Sequence, residues 1–385
     1  MNSRTHTVEA AFRQLYGTAP EGVWSAPGRV NLIGEHTDYN DGFCLPMALP
    51  RTTLVAARRR TDGLLRLHSA QGDGRIAELP LSGLAPGAAT GWTRYPAGVV
   101  WALAEAGHDV GGGADLHIDS TVPSGAGLSS SAALECAVAV AYDDLYGLGL
   151  PRPELARTAQ RAEHAFAGVP CGIMDQMASL CSAEATALHL DCRTLEHRLV
   201  PFGLAADGLR LLVVDTRVKH DLGDGAYAAL RAGCERAAAL LGLPALRDLA
   251  AADLDAALAG LPAALVPLVR HVVTENERVT RTVAHLEAED TEGLGPLLTA
   301  GHASLRDDYR ISCAETDLVV DTALAAGALG ARMTGGGFGG SVIVLVHDRL
   351  ARTVTDAVTT AFHRAGHRTP SVLEAIPSRG AGRLG

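Results

Sequence analysis

One segment restricts the possible folds more than any other: PSGAGLSSSAALE, which runs from Pro123 to Glu135. Its glycines at 125 and 127 allow backbone conformations that other residues avoid, and they let the chain approach a ligand closely. Three serines then open a helix that the small-residue pattern predicts over 131–148. Helix N-termini bind phosphate through unpaired N–H groups, but a capped helix after a glycine turn explains the pattern equally well. The missing G-K-[ST] ending excludes a Walker A loop.

A second glycine-rich segment, GGGFGG at 335–340, has the spacing of a dinucleotide-binding fingerprint. That fingerprint follows a strand and opens a helix, whereas here the next residues, SVIVLVH, continue as a strand. The segment therefore predicts a tight backbone turn packed beside another loop or a ligand.

A third segment, GRVNLIGEHTDYN from Gly28 to Asn40, places many polar side chains directly after the strand-like run VWSAP. Two interpretations fit it: an ordinary surface turn, or the floor of a pocket for a ligand covered in hydroxyl groups. Carboxylates accept hydroxyl hydrogens, and a histidine adds a further donor or acceptor. The segment has the side chains that such a pocket needs.

The hexapeptide CGIMDQ places Asp175 beside Ile173 and Met174. A buried carboxylate is costly unless it is paired, so this setting points to a charged partner. Taken alone, the hexapeptide fits better with an aspartate that caps a helix or lies in its first turn.

The chain mixes strand and helix patterns in both halves, which predicts an α+β fold of two domains, 1–195 and 196–385. A short helix is predicted at 7–16, and two strands, 52–60 and 64–70, are predicted to form a hairpin around Thr61-Asp62-Gly63. Further elements are predicted as a strand at 114–122, a helix from Pro153 to Gly168, a strand at 209–216, helices within 226–325 and a last strand near PSVLEAIPS.

Composition excludes several classes of protein. The 385 residues are 47% apolar and 20% charged, as in globular proteins, and the net charge of −10 argues against nucleic-acid or anionic-membrane partners. Seven scattered cysteines with no C-x-x-C pair argue against disulfides and a zinc site. With no secretory signal and no apolar run long enough to cross a membrane, we expect a cytoplasmic protein, and by default a monomer.

Three segments occur in an order that resembles the GHMP small-molecule kinases. They are the polar segment at 28–40, PSGAGLSSSAA and MTGGGFGG. Within that superfamily, GRVNLIGEHTDYNDG and CGIMDQ are similar to the galactokinase family, and the similarity extends from about residue 24 to the C-terminus. It implies two domains with an active site in the cleft between them. It also implies the use of ATP and Mg²⁺, and phosphoryl transfer to the anomeric hydroxyl of α-D-galactose.

The resemblance also assigns roles to individual residues. Asp175 matches the catalytic base and Arg29 the arginine beside it, while Ser131 and Glu163 match the Mg²⁺ ligands. Sugar binding falls to Glu35, His36, Thr37, Asp38, Gly172 and Tyr227. Nucleotide binding falls to the phosphate loop, Gly125, Ala126, Gly127, Leu128, Ser129, Ser130 and Ser131, and on the adenine side to Ser69 and Trp92.

Two departures from the family pattern stand near these positions. Thr93 and Arg94 follow Trp92 where the family often has alanine and asparagine, which affects the adenine side of the site. The loop begins with a mild variant, PSG. The alternatives are a GHMP kinase acting on another sugar, such as N-acetylgalactosamine, and a non-catalytic sensor that binds sugar and ATP.

Overall fold

The computed structural model describes residues 2–218 and 225–384. In the first half of the chain the helices are Asn2–Tyr16 (α1), Arg94–Glu105 (α2), Ser130–Tyr146 (α3), Arg152–Arg161 (α4) and Met174–Cys181 (α5). The strands of this half are Gly22–Asn31 (β1), Phe43–Cys44 (β2), Pro46–Arg59 (β3), Leu64–Ser69 (β4), Ala77–Pro80 (β5), Gly113–Ser120 (β6) and Thr186–Asp191 (β7).

The second half is richer in helix. Its strands are His197–Pro201 (β8), Leu209–Asp215 (β9), Gly330–Thr334 (β10), Ser341–His347 (β11), Ser371–Glu374 (β12) and Gly382–Leu384 (β13). Its helices are Ala226–Leu240 (α6), Leu254–Ala259 (α7), Val266–Glu287 (α8), Leu294–Asp307 (α9), Ala314–Ala325 (α10) and Ala351–Ala365 (α11). The predicted α+β class is confirmed.

Within the described residues the strands form three sheets. The first has the order β13-β1-β3-β6-β4-β5, the second β10-β11-β9-β12, and the third β2-β7-β8. The pairing is antiparallel except between β4 and β6, which run parallel. Helix α3 packs on β1 and β3, so the glycine-rich loop before it lies directly against the end of β1.

The predicted hairpin of 52–60 with 64–70 is wrong. β3 pairs with β6, and β6 in turn pairs with β4, so β6 lies between the two strands that the turn joins. The turn signal at Thr61-Asp62-Gly63 describes the local bend correctly, but strand partners are chosen by packing over longer distances. The first helix also begins earlier than predicted, at Asn2.

Three apolar clusters account for most of the interior. One lies between the first sheet and α2–α5, and another surrounds the second sheet. The third joins the two halves, because it brings residues such as Val30 and Leu45 together with Val213, Val279 and Ile343. The polar segment of residues 28–40 therefore rests on a core that both halves share.

The predicted domain boundary after residue 195 stays a prediction. It falls in the turn that joins β7 and β8, and the last strand, β13, returns to pair with β1 in the first sheet. None of the helices within residues 2–218 and 225–384 is long and apolar enough to cross a membrane.

Candidate active site

A bidentate ion pair joins the end of β1 to the start of α5. Arg29 donates from Nε to Asp175 Oδ1 at 2.7 Å and from Nη2 to Oδ2 at 2.9 Å. The Arg29 side chain is almost fully buried, whereas the Asp175 side chain keeps 27% of its surface exposed. Both interpretations of CGIMDQ hold, since Asp175 lies in the first turn of a helix and also has a charged partner.

The phosphate loop is bonded to this ion pair at two points. Arg29 Nη1 donates to the carbonyl oxygen of Gly127 at 2.7 Å, and Ser129 Oγ donates to Asp175 Oδ2 at 2.6 Å. Gly125, Gly127 and Ser129 all have positive φ, and α3 begins at Ser130. The loop therefore wraps over the ion pair with the N-terminus of α3 facing the same space.

The second glycine-rich segment packs on the first, as predicted. A Cβ atom at Gly335 would lie 2.9 Å from the carbonyl oxygen of Gly127, so a side chain there would collide with the loop. Ser341 Oγ donates to the carbonyl oxygen of Ala126 at 2.7 Å. Strand β11 follows the segment directly, which excludes the dinucleotide fingerprint.

Two acidic side chains, Glu163 and Glu135, and the amide of Gln176 lie beside the loop. Burial raises the pKa of Glu163, and its hydrogen bond with Ser131 lowers it in part. Gln176 Nε2 donates to Glu163 Oε2 at 2.8 Å. The fully buried Glu135 has a pKa well above its usual range because of burial and the nearby Glu163. Ser131 and Glu163, predicted as metal ligands, are thus neighbours.

The polar segment divides its side chains between cavity and scaffold. Glu35, His36 and Asp38 line a cavity of about 180 Å³ together with Tyr227 and Gly172. Thr37 does not line it, because its hydroxyl turns back to the carbonyl oxygens of Gly34 and Phe43 at 2.8 and 2.7 Å. Thr37 therefore shapes the segment.

Asp38 is held in a confined position. A Cβ atom at Gly172 would lie 1.7 Å from Asp38 Oδ2, so glycine is required there by space. The backbone N–H of Tyr39 donates to Asp38 Oδ1 at 3.0 Å. Burial and the neighbouring Asp175 raise the pKa of Asp38 to about 6.

Glu35 belongs to a buried charge network that the sequence patterns do not predict. Arg332 Nη2 lies 2.5 Å from Glu35 Oε2 and 3.1 Å from Glu275 Oε1, and all three side chains are at most 1% exposed. Arg278 Nε donates to the other oxygen of Glu275 at 2.6 Å. Burial would raise the pKa of Glu275, but Arg278 and Arg332 outweigh it and hold the pKa well below its usual range.

The network also fixes the backbone of the polar segment. Glu275 Oε1 accepts a hydrogen bond from Gly34 N at 2.8 Å, and Arg332 Nη1 donates to Leu32 O at 2.8 Å. Glu35 Oε1 accepts from Gly335 N at 3.0 Å. One signal could have indicated Arg332: it is the charged residue of the fully buried strand β10.

A second cavity, of about 670 Å³, adjoins the first across the phosphate loop. Its lining includes Ser69 and Trp92, which the family resemblance assigns to the adenine side, and also Ser130, Ser131 and Glu163. Arg94, one of the departures from the family pattern, lines the same cavity with its guanidinium 5.0 Å from the Tyr95 ring centroid. The loop and the two candidate metal ligands thus lie where the two cavities meet.

The comparisons with known proteins agree with this geometry. Family models match at three places: the galactokinase galactose-binding signature at 10–59, the GHMP kinases N terminal domain at 94–183 and the GHMP kinases C terminal at 282–364. A mevalonate kinase structure from Methanococcus jannaschii shares the fold, with a TM-score of 0.65 at 17% identity over 93% of this chain and 98% of that one. The chain thus has the two-domain GHMP kinase fold with its site in the cleft between the domains.

More similar proteins define the family within that class. A galactokinase from Streptomyces coelicolor is 62% identical over 98% of both chains, and one from Mycobacterium tuberculosis is 48% identical over 93% of this chain and 98% of its own. The crystal structure of Lactococcus lactis galactokinase complexed with galactose superposes with a TM-score of 0.95, at 33% identity over 99% of this chain and 100% of that one. The chain belongs to the galactokinase family.

The charge network makes a prediction about stability. Arg332→Met leaves Glu35 and Glu275 buried without their shared cation, so we expect the free energy of unfolding to fall by about 3–5 kcal/mol. Urea denaturation measures this change. The matched control is Arg198→Met, which breaks a half-exposed pair with Glu287 and should cost less than about 1 kcal/mol. Equal losses in the two variants would contradict the importance of the network.

Proposed function

We propose that this chain catalyses transfer of the γ-phosphoryl group from ATP to the anomeric hydroxyl of α-D-galactose. The products are galactose 1-phosphate and ADP, in the first committed step of galactose catabolism by the Leloir pathway. The observation that carries the proposal is the Arg29–Asp175 pair, which lies in the sugar-sized cavity and is bonded to the phosphate loop. The sugar hydroxyl that accepts the phosphoryl group and the phosphate of ATP would therefore meet at the Asp175 carboxylate.

Asp175 is the base in this proposal. The two hydrogen bonds from Arg29 and the one from the Ser129 hydroxyl fix the plane of the Asp175 carboxylate. The exposed part of the Asp175 side chain faces the cavity. A carboxylate in this position accepts the proton of the attacking hydroxyl. Arg29 neutralises part of the charge on Asp175 and, through its position beside the loop, stabilises charge on the transferring group.

The residues from Gly125 to Ser131 hold the phosphates. Phosphoryl transfer depends on positioning and charge stabilisation more than on covalent chemistry. Gly125, Ala126, Gly127, Leu128 and Ser129 supply backbone N–H groups in a turn, and Ser130 and Ser131 begin α3, whose N-terminus favours anions. Ser69 and Trp92 lie in the adjoining cavity, where they bind the adenine side of the nucleotide.

Ser131 and Glu163 fit a magnesium site. Mg²⁺ prefers oxygen ligands and keeps several positions for phosphates and water, so two protein ligands suffice. Burial raises the pKa values of both Glu163 and Glu135, so their charged forms are costly on their own, and a bound cation would favour the ionised carboxylate of Glu163. When bound, the ion would neutralise phosphate charge. Gln176 keeps Glu163 in place.

Glu35, His36, Asp38 and Tyr227 bind the sugar, with Gly172 leaving room for the Asp38 carboxylate. Thr37 contributes through the shape of the segment. A pocket built from such polar groups rejects analogues that lack a hydroxyl, because its own buried groups are then left unpaired.

The cellular setting is also part of the proposal. All seven cysteines are free thiols, which fits the reducing cytoplasm, and the net charge of −10 argues against nucleic-acid or anionic-membrane partners. We propose a cytoplasmic monomer whose partners are galactose and ATP.

The first test is ADP release by the purified protein with Mg-ATP, measured separately with D-galactose, D-glucose, N-acetylgalactosamine and mevalonate. We expect turnover with galactose and a product phosphorylated on the anomeric carbon. Turnover with a different acceptor alone would replace the sugar assignment. Binding of galactose and ATP without turnover would identify a sensor.

Asp175→Asn tests the base. The amide keeps the shape of the carboxylate but cannot take the proton, so we expect kcat to fall by about 10²–10⁴-fold while galactose still binds. The matched control is Asp191→Asn, which disrupts a comparable fork to Arg247 outside the site and should leave kcat unchanged. A near-normal kcat for Asp175→Asn would show that another group is the base.

Asp38 makes sugar binding depend on pH. Its pKa of about 6 means that the carboxyl becomes protonated below pH 6 and then no longer accepts two hydroxyl hydrogens. We expect the galactose dissociation constant, measured by calorimetry without nucleotide from pH 5 to pH 8, to rise about tenfold by one pH unit below the pKa. Asp38→Asn should bind weakly and lose this dependence. If the dissociation constant of Asp38→Asn still changed with pH as in the wild-type protein, the pH dependence would belong to a different group.

A further inference from the structure

A row of buried hydrogen-bonding groups lies behind the imidazole of His36. The Nδ1 atom of His36 is 2.7 Å from the hydroxyl of Tyr39, which is 2.9 Å from the hydroxyl of Tyr309. The Tyr309 hydroxyl is in turn 3.1 Å from Sγ of Cys234. Tyr309 is 2% exposed and Cys234 is fully buried, so the row leads away from the cavity into the protein.

Three separate parts of the chain assemble this row around His36. Tyr39 belongs to the polar segment, Tyr309 follows α9, and Cys234 lies in α6. The His36 ring lies 5.6 Å from the Tyr39 ring at 83°, and 4.9 Å from the Tyr309 ring, which limits its rotation. Its backbone is constrained as well, because His36 has φ 61° and Asn40 Nδ2 donates to its carbonyl oxygen at 2.8 Å.

The hydrogen bonds along this row can run in either of two directions, from Tyr309 towards His36 or from His36 towards Tyr309. Each phenol has one hydrogen, and burial raises the pKa values of Tyr39 and Tyr309 well above their usual range, so both keep it. An unprotonated imidazole nitrogen is a stronger acceptor than a phenol oxygen, and a phenol is a stronger acid than a neutral imidazole N–H. The favoured direction is therefore from Tyr309 to Tyr39 and from Tyr39 to His36 Nδ1.

We propose that Tyr39, supported by Tyr309, is a positioning residue that fixes His36 as the tautomer with its hydrogen on Nε2. The partner of one ring nitrogen decides which nitrogen is protonated. His36 lines the sugar cavity with Glu35 and Asp38, and in this proposal its Nε2–H is the hydrogen-bond donor among the groups that bind the sugar. The inference rests on the proposed function, because it makes His36 a donor to a sugar hydroxyl oxygen.

The tautomer can be measured directly. In protein labelled with ¹⁵N-histidine, nitrogen chemical shifts distinguish a ring nitrogen that carries hydrogen from one that does not, and the His36 signals are assigned by their loss in His36→Gln. We expect hydrogen on Nε2 in the unliganded wild-type protein, and a mixture of both tautomers in Tyr39→Phe. Hydrogen on Nδ1 in the wild-type protein would overturn the proposal.

Kinetics supply the second readout. Tyr39→Phe keeps the ring but removes the donor, so we expect the galactose KM to rise about fivefold or more, with kcat and the ATP KM within about twofold. Tyr309→Phe should raise the galactose KM less, because Tyr39 still donates to His36. The control is Tyr142→Phe, which should leave the galactose KM unchanged. Among the described residues the buried Tyr142 hydroxyl has no hydrogen-bond partner, and its ring stacks on Tyr146.

The outcomes separate this inference from the proposed function. An unchanged galactose KM in Tyr39→Phe, or a larger rise in Tyr309→Phe than in Tyr39→Phe, would overturn the assigned direction. If Tyr39→Phe does not fold, the wild-type spectrum decides alone. Failure of the wild-type protein to phosphorylate galactose would reject the proposed function, while the nitrogen shifts would still show whether Tyr39 sets the tautomer.

Discussion

The buried guanidinium of Arg332 holds together the two carboxylates on which the floor of the cleft depends. Glu35 comes from the polar segment and Glu275 from α8, so one cation connects the two halves of the chain. A buried charge that loses its partner is costly, so the halves cannot separate at this point without a large penalty. The floor of the cavity lined by Glu35, His36 and Asp38 is thus tied to both halves of the chain.

A second set of interactions joins Asp175 to the loop at 125–131. Arg29 contacts both oxygens of Asp175 and the carbonyl oxygen of Gly127, and Ser129 contacts Asp175 from the loop. A shift of the loop would therefore move the carboxylate, and a lost carboxylate would loosen the loop. In the proposed reaction, the same few bonds would place the donor phosphate and the acceptor hydroxyl, which is catalysis by positioning.

The chain sequence predicts the local features of this site better than its long-range ones. Glycine spacing and the family resemblance point to the loop at 125–131 and to Asp175, which lie together in the structure, because those groups lie within short segments. Arg332 and Glu275 were missed because they meet Glu35 only after folding, across 297 and 240 residues of chain. The hairpin around Asp62 failed for the same reason: the inserted strand, β6, begins 51 residues later, at Gly113.

Asp38 shows how the site acts against the stability of the fold. Its pKa, raised from 3.8 to about 6, means that the folded protein binds this proton more tightly than the unfolded chain does. Its contribution to stability therefore falls as the pH rises from about 4 to about 6 and stays low above that. The fold is thus less stable with an ionised Asp38, the form that would accept sugar hydroxyls, than with a protonated one. Selection for thermostability alone would favour an uncharged residue here, at the expense of the ligand.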